Sequence, residues 1–137
     1  MNFEWVPGTF SVLKFAPDVP WQLEELSATL SPPPKFLTWT FTQDECSLML
    51  EETHANRLAR HYSEQLLGQE SDFRCFRVSD TMDFSLVGVV AQISQTLADA
   101  KISILTVSTF DTDYFLVRAS DLKRSQDALQ AAGHTFP

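Results

Sequence analysis

Residues 9–15 alternate apolar and polar positions, with Phe10, Val12, Leu13 and Phe15 apolar before Pro17 ends the run, and this pattern predicts a strand. A helix follows over residues 18–30. Asp18 precedes Pro20, the acids Glu24 and Glu25 lie near the positive end, and Trp21, Leu23, Leu26 and Leu30 supply apolar surface until Pro32, Pro33 and Pro34 stop it. Residues 36–42 and 46–51 are rich in β-branched and aromatic side chains and are joined by Gln43, Asp44 and Glu45, which predicts a hairpin. Thr53 then caps a helix over residues 53–67, with Leu58, Tyr62 and Leu66 one turn apart and Gly68 as its stop.

The same order of elements begins again after residues 68–72. Residues 73–79 read as a strand, and residues 85–101 as the clearest helix, with Leu86, Val90, Ile93, Leu97 and Ala100 on one face and Gln92, Gln95 and Asp99 on the other. Residues 102–110 and 114–118 form a second hairpin around Asp111, Thr112 and Asp113. Ser120 caps a helix ending at Gly133, and residues 134–137 supply a last short strand. LTWTFTQDECSLM (37–49) lies on LTVSTFDTDYFLV (105–117) without a gap at an offset of 68. The expectation is an α+β protein of two βαββαβ units, residues 1–70 and 71–137, each an antiparallel sheet with helices on one face. The first unit lacks an obvious final strand, so the two share or exchange one.

With 137 residues, 44% hydrophobic, the chain is long enough to bury a core and too apolar for disorder. A formal charge of −8 argues against nucleic acid or an anionic membrane as partner, since both need a cationic face. Arg57 with Arg60 and Lys123 with Arg124 read as solvated helix faces. Glu4, Pro7 and Gly8 interrupt any leader-like apolar helix at the start, and no run reaches membrane-spanning length. Cys46 and Cys75 read as two buried thiols, and the compartment as cytoplasmic. His54 and His61 share a helix face, but a zinc site needs a third ligand that nothing signals. No nucleophile elbow, phosphate loop, dinucleotide fingerprint or CxxC is present, so no catalytic residue, metal or cofactor is assigned.

The run FSLVGVVAQISQTLADAKISILTVSTFDTDYFLV (84–117) resembles the ACT domains of small bacterial ACT-pair proteins. It also resembles the ligand-binding modules of the eukaryotic cytosolic arginine sensor. The resemblance implies a ferredoxin-like fold and a non-catalytic regulatory module that binds an amino acid or similar small ligand at an ACT-ACT interface. It further implies a homodimer and signalling to a protein partner. Carried over by position, the sensor's backbone contacts at the start of the helix fall on Gly88 and Val89, beside Leu86 and Val87. Its side-chain pocket falls on Thr109, Phe110, Thr112 and Asp113, beside Asp111. Leu86 stands where the sensor has an acid and Thr112 where it has an aromatic residue, which argues against arginine as the ligand.

Physical chemistry supports the same segment. Helix N-termini offer unpaired N–H groups and partial positive charge to a carboxylate, and Gly88 allows close approach. Asp111 and Asp113 can accept hydrogen bonds from an amino group. Each residue also has a plainer reading: Gly88 as a packing glycine, the two aspartates as turn formers, Phe110 as core. Two rivals stay open, a ligand-free assembly module and an enzyme using Asp111 or Asp113 as base.

Overall fold

A strand buries its apolar positions by alternation, and the first strand runs further than its clearest stretch predicts. In the computed structural model, which describes residues 1–79 and 87–137, β1 spans Phe3–Phe15 and α1 Leu23–Thr29. The hairpin β2 (Leu37–Phe41) and β3 (Cys46–Glu51) follows, then α2 (Glu52–His61) and β4 (Leu66–Val78). The second half contains α3 (Val89–Asp99), β5 (Ile104–Ser108), β6 (Asp113–Arg118), a single 3₁₀ turn Ala119–Asp121 and α4 (Leu122–Ala131). In place of the expected strand at 134–137 there is a lone parallel bridge, Asn2 to Thr135.

The chain divides into two compact units, Thr9–Asp72 and Met1–Gly8 together with Phe73–Pro137. In the N-terminal unit the strand order is β2-β3-β1-β4, with residues 9–15 and 66–72 supplying the last two. β3 is antiparallel to both neighbours, and the Ala16 N–H donates to the Gln65 carbonyl at the end of the β1–β4 pairing. Leu13, Phe15, Cys46, Leu48 and Leu50 face Ala55, Leu58 and Tyr62 of the α2 side, with Leu26 and Leu30 from the α1 side. In the C-terminal unit the order is β1-β4-β6-β5, residues 73–78 being its first strand and residues 3–8 its fourth. Phe3, Phe76, Val78, Phe115 and Val117 bury their side chains against Ile93, Leu97 and Leu129.

Both units therefore have strands in the order 2-3-1-4, and the fourth strand of the C-terminal unit comes from the start of the chain. The sequence reading assigned residues 1–70 to one unit; residues 1–8 instead complete the other sheet, where Phe3 is fully buried and Ser79 N–H bonds the Asn2 carbonyl. The changeovers fall beside left-handed residues, Gly8 at φ 110° and Asp72 at φ 64°. Those are the residue types that occupy this region most readily.

Two boundaries differ from expectation for physical reasons. The helix expected over 53–67 stops at His61, and Leu66 packs on the same core from the following strand, so its one-turn spacing from Tyr62 continued the apolar pattern without continuing the helix. The repeat offset is 67, since Leu37–Phe41 corresponds to Ile104–Ser108 and Cys46–Glu51 to Asp113–Arg118. Side chains alternate across a strand, so the offset of 68 puts every residue on the wrong face. At 67 the helix-facing Cys46, Leu48 and Leu50 match Asp113, Phe115 and Val117.

Glu51 at the end of β3 and two α2 side chains fix the proline-rich connection ahead of β2. Glu51 Oε1 accepts from the Lys35 N–H at 2.6 Å, the His54 Nε2–H donates to the Pro32 carbonyl at 2.6 Å, and Arg57 donates to the Ser31 carbonyl at 2.8 Å. Phe3→Ala is expected to cost about 3–5 kcal/mol in denaturant unfolding, in the range for a buried aromatic. Hydrogen exchange in that variant will show residues 73–78 and 113–118 deprotected first. Deprotection confined to residues 9–72 would contradict the strand assignment.

Candidate functional site

The β5–β6 turn is built by Thr109. Its backbone N–H donates to the Thr112 carbonyl at 2.9 Å, its hydroxyl donates to the same carbonyl at 3.2 Å, and the Thr112 N–H returns to that hydroxyl at 3.4 Å. Thr42 does the same for the β2–β3 turn. Its N–H meets the Glu45 carbonyl at 2.9 Å, and its hydroxyl meets that carbonyl at 3.3 Å and accepts the Glu45 N–H at 3.1 Å. A short hydroxyl side chain that bonds nearby backbone gives both turns the same shape at the offset of 67. The counterpart of Thr112 is thus Glu45, and that of Asp113 is Cys46; the offset of 68 had matched Asp113 with Glu45.

The candidate residues separate on this frame. Thr112 is buried, and its hydroxyl donates to the Val78 carbonyl at 3.0 Å, which fastens the turn to the end of β4. Asp113 is buried as the first residue of β6, where Oδ1 accepts the Ser108 hydroxyl at 2.6 Å. Ser108 stands directly across the strand pair from Asp113, and the sequence reading, which took 108–114 as the likeliest ligand segment, gave it no role of its own. Its signal was available: a hydroxyl five residues before an acid, across a four-residue turn. Asp111 is exposed. Phe110, carried over as a pocket residue with core as its plainer reading, is 80% exposed at the tip of the turn, so it is not a core residue.

On the helix side, Gly88 is the N-cap of α3 in the left-handed conformation, with φ 81°. A Cβ placed on it would meet no described atom within 4 Å. Helical bonding begins with the Gln92 N–H on the Gly88 carbonyl at 2.8 Å, so the first-turn N–H groups from Val89 onward have no carbonyl of the same helix to bond. Val89 packs on the C-terminal core, and Val87 is 88% exposed. Leu86 lies outside the described residues, as does Ser85. Val89 packs on the C-terminal core cluster, of which Val78 is a member, and Thr112 bonds the Val78 carbonyl.

Neither cysteine is a reactive thiol. Burial pushes Cys75 up to about 12, offset slightly by the Phe115 backbone, and burial also raises Cys46, with the Trp39 and Trp21 indoles pulling it part of the way back. His54 is held on the Pro32 carbonyl, and His61 Nε2 lies 3.1 Å from Glu25 Oε2. Among the described residues no group of three or more His, Cys, Asp or Glu is arranged to hold a metal ion, and no helix is long and apolar enough to cross a membrane.

This is an α+β protein with antiparallel strands covered by helices. Residues 69–131 match the ACT domain family model, so that stretch is similar to an ACT domain. Among curated proteins none matches the sequence. Protein Atu0741 from Agrobacterium tumefaciens is similar in structure, with a TM-score of 0.79 at 24% identity over 99% of this chain and 91% of that one. A Vibrio cholerae protein of unknown function, VC0802, described as a possible transport protein, gives 0.67 at 18% over 95% and 88%. The ligand-free regulatory subunit of aspartate kinase from Thermus thermophilus gives 0.69 at 12%, over 96% of each chain.

Gly88→Ala is expected to lower stability by about 1–2 kcal/mol although the space is open, because the cost lies in the left-handed backbone. An unchanged midpoint in chemical denaturation would mean that the backbone relaxes there without strain.

Proposed function

We propose that the chain is a non-catalytic regulatory module made of two ACT-type units, which binds an amino acid or a similar small ligand between the start of α3 and the 109–113 turn. The ligand's carboxylate lies on the first-turn N–H groups beside Gly88, where backbone donors and the helix dipole favour an anion. Its amino group lies towards Asp113, with Thr109 and Phe110 at the rim. What supports this reading is a left-handed Gly88 at a helix start and a buried carboxylate at Asp113, both inside the segment that matches the ACT domain.

The matched strand order and matched turns support a second ACT-type unit over residues 9–72. The similarity to a kinase regulatory subunit over nearly its whole length supports regulation. Two copies form a homodimer in this proposal, for which β2 and β5, each last in its unit's strand order, offer unpaired edges. The module acts in the cytoplasm on a protein partner, the ligand biasing one of two states by its differential affinity.

A second reading is favoured by a specific observation. Thr112 and Asp113 already have partners within the chain, as a ligand-free assembly module requires. Calorimetry across the twenty amino acids, then nucleotides and short-chain acids, separates the two. The ligand reading expects at least one binder whose affinity falls about 10-fold or more in Asp113→Ala, the loss of one charge-assisted hydrogen bond. A silent panel together with a stable dimer in sedimentation favours assembly alone.

A further inference from the structure

Two pairs of basic residues stand out in the sequence, and the fold treats them differently. Lys123 and Arg124 on α4 each meet a carboxylate, Asp127 and Asp121 respectively, at 2.6 Å. Arg57 and Arg60 on α2 meet none among the described residues. Arg57 donates to the Ser31 carbonyl at 2.8 Å, a neutral group that leaves its charge uncompensated. Arg74 lies over the Trp5 ring, Arg77 pairs with Glu4, and Arg118 lies over Phe73. Arg60 is exposed, and alone among the arginines of the described residues it has no partner in the chain.

The same face of α2 carries donors in place of acids. Thr53, Asn56, Arg57 and Arg60 fall at i, i+3, i+4 and i+7, so they form one stripe about 10 Å long. The stripe borders two grooves, of about 350 and about 300 Å³, that share both arginines. Thr29 and His61 complete the first, Thr53 and Asn56 the second, and no described carboxylate lines either. His61 is already held by Glu25 at 3.1 Å, so the charge on offer is that of the arginines. Asn56 Oδ1 accepts the Gln69 amide at 2.8 Å, which leaves the Asn56 amide nitrogen to donate.

A helix C-terminus favours a cation in its last turn, and that accounts for Arg60 taken singly. It gives no reason for a second guanidinium one turn earlier with no acid on the face, because like charges at that spacing repel. In a chain of formal charge −8 this stripe is a local exception. A groove walled by one sign of charge concentrates the opposite ion.

We propose that this face of α2 is an anion seat that takes the diphosphate group of a small molecule, held by Arg57 and Arg60 with Asn56 and Thr53 at its rim. A carboxylate brings two oxygens and one charge, too few for two guanidinium groups, an amide and a hydroxyl. A diphosphate brings more of both, and its oxygens accept guanidinium N–H groups in pairs. The seat lies wholly within the unit Thr9–Asp72 and does not rest on the amino-acid site proposed at Gly88 and Asp113.

Inorganic pyrophosphate added to the full chain is the probe, with affinity read by calorimetry and location by amide chemical shifts. Shifts are expected to gather at residues 53–61. Arg60→Ala is expected to weaken binding about 10-fold or more, the loss of a charge-assisted contact, and to melt near the wild-type temperature because Arg60 holds nothing in the chain. Arg60→Lys keeps the charge and loses the planar fork, so it should recover only part of the affinity. Lys123→Ala changes the net charge equally on another helix and should bind as wild type does. Citrate, an anion without phosphate, is expected to bind about 10-fold more weakly than pyrophosphate. No binding to wild type overturns the seat, as does wild-type affinity in Arg60→Ala or an equal loss in Lys123→Ala. Citrate binding as tightly as pyrophosphate overturns the assignment of a diphosphate. If Arg60→Ala does not fold, Arg60→Lys decides alone, and full wild-type affinity in it overturns the proposal.

Discussion

Each unit depends on a fourth strand that its own βαββα run does not contain. In both units the first strand is central, with the third on one side and the fourth on the other, so without a fourth strand it is left with an open edge. The N-terminal unit takes its fourth strand from the chain that follows α2; the C-terminal unit takes its own from the start of the molecule. β1 and β4 therefore each contribute one stretch to each unit, changing at Gly8 and Asp72, where a left-handed residue breaks the regular pleat. The 109–113 turn inherits this dependence, because Thr112 is fastened to the carbonyl of Val78 at the end of β4.

The repeat also explains what the site is. Two turns with the same hydroxyl-centred hydrogen bonds lead into two strands whose first residues are buried on the helix side. At one the residue is an aspartate that accepts the Ser108 hydroxyl; at the other it is a cysteine whose sulfur accepts the Trp39 indole N–H. The turn hydrogen bonds are the same and the chemistry of the buried residue differs, a carboxylate against a thiol.

Much of this was legible in the sequence, and the failures share a cause. Element order, the hairpins and the helix-facing Leu13, Leu48, Ile93 and Leu97 follow from periodicity, because burial of one face imposes that periodicity. The repeat was visible but its register was not: LTWTF aligns with LTVST as letters, whereas the pleat aligns it with ILTVS. Leu66 carried a helical spacing into a strand. The membership of residues 3–8 could not be read locally, since it depends on a pairing with residues nearly the whole chain away. At the site, the candidate turn was found by resemblance, yet Phe110 lies outside the core and the pairing of Ser108 with Asp113 was missed, because exposure and cross-strand partners are set by register.

An electron-density map of the full chain purified from cells tests the proposed ligand site between Gly88 and Asp113 most directly. Compact non-protein density reaching both the α3 start and the Asp113 carboxylate is the predicted result. Side chains of the protein itself filling the space between Gly88 and the turn would contradict it.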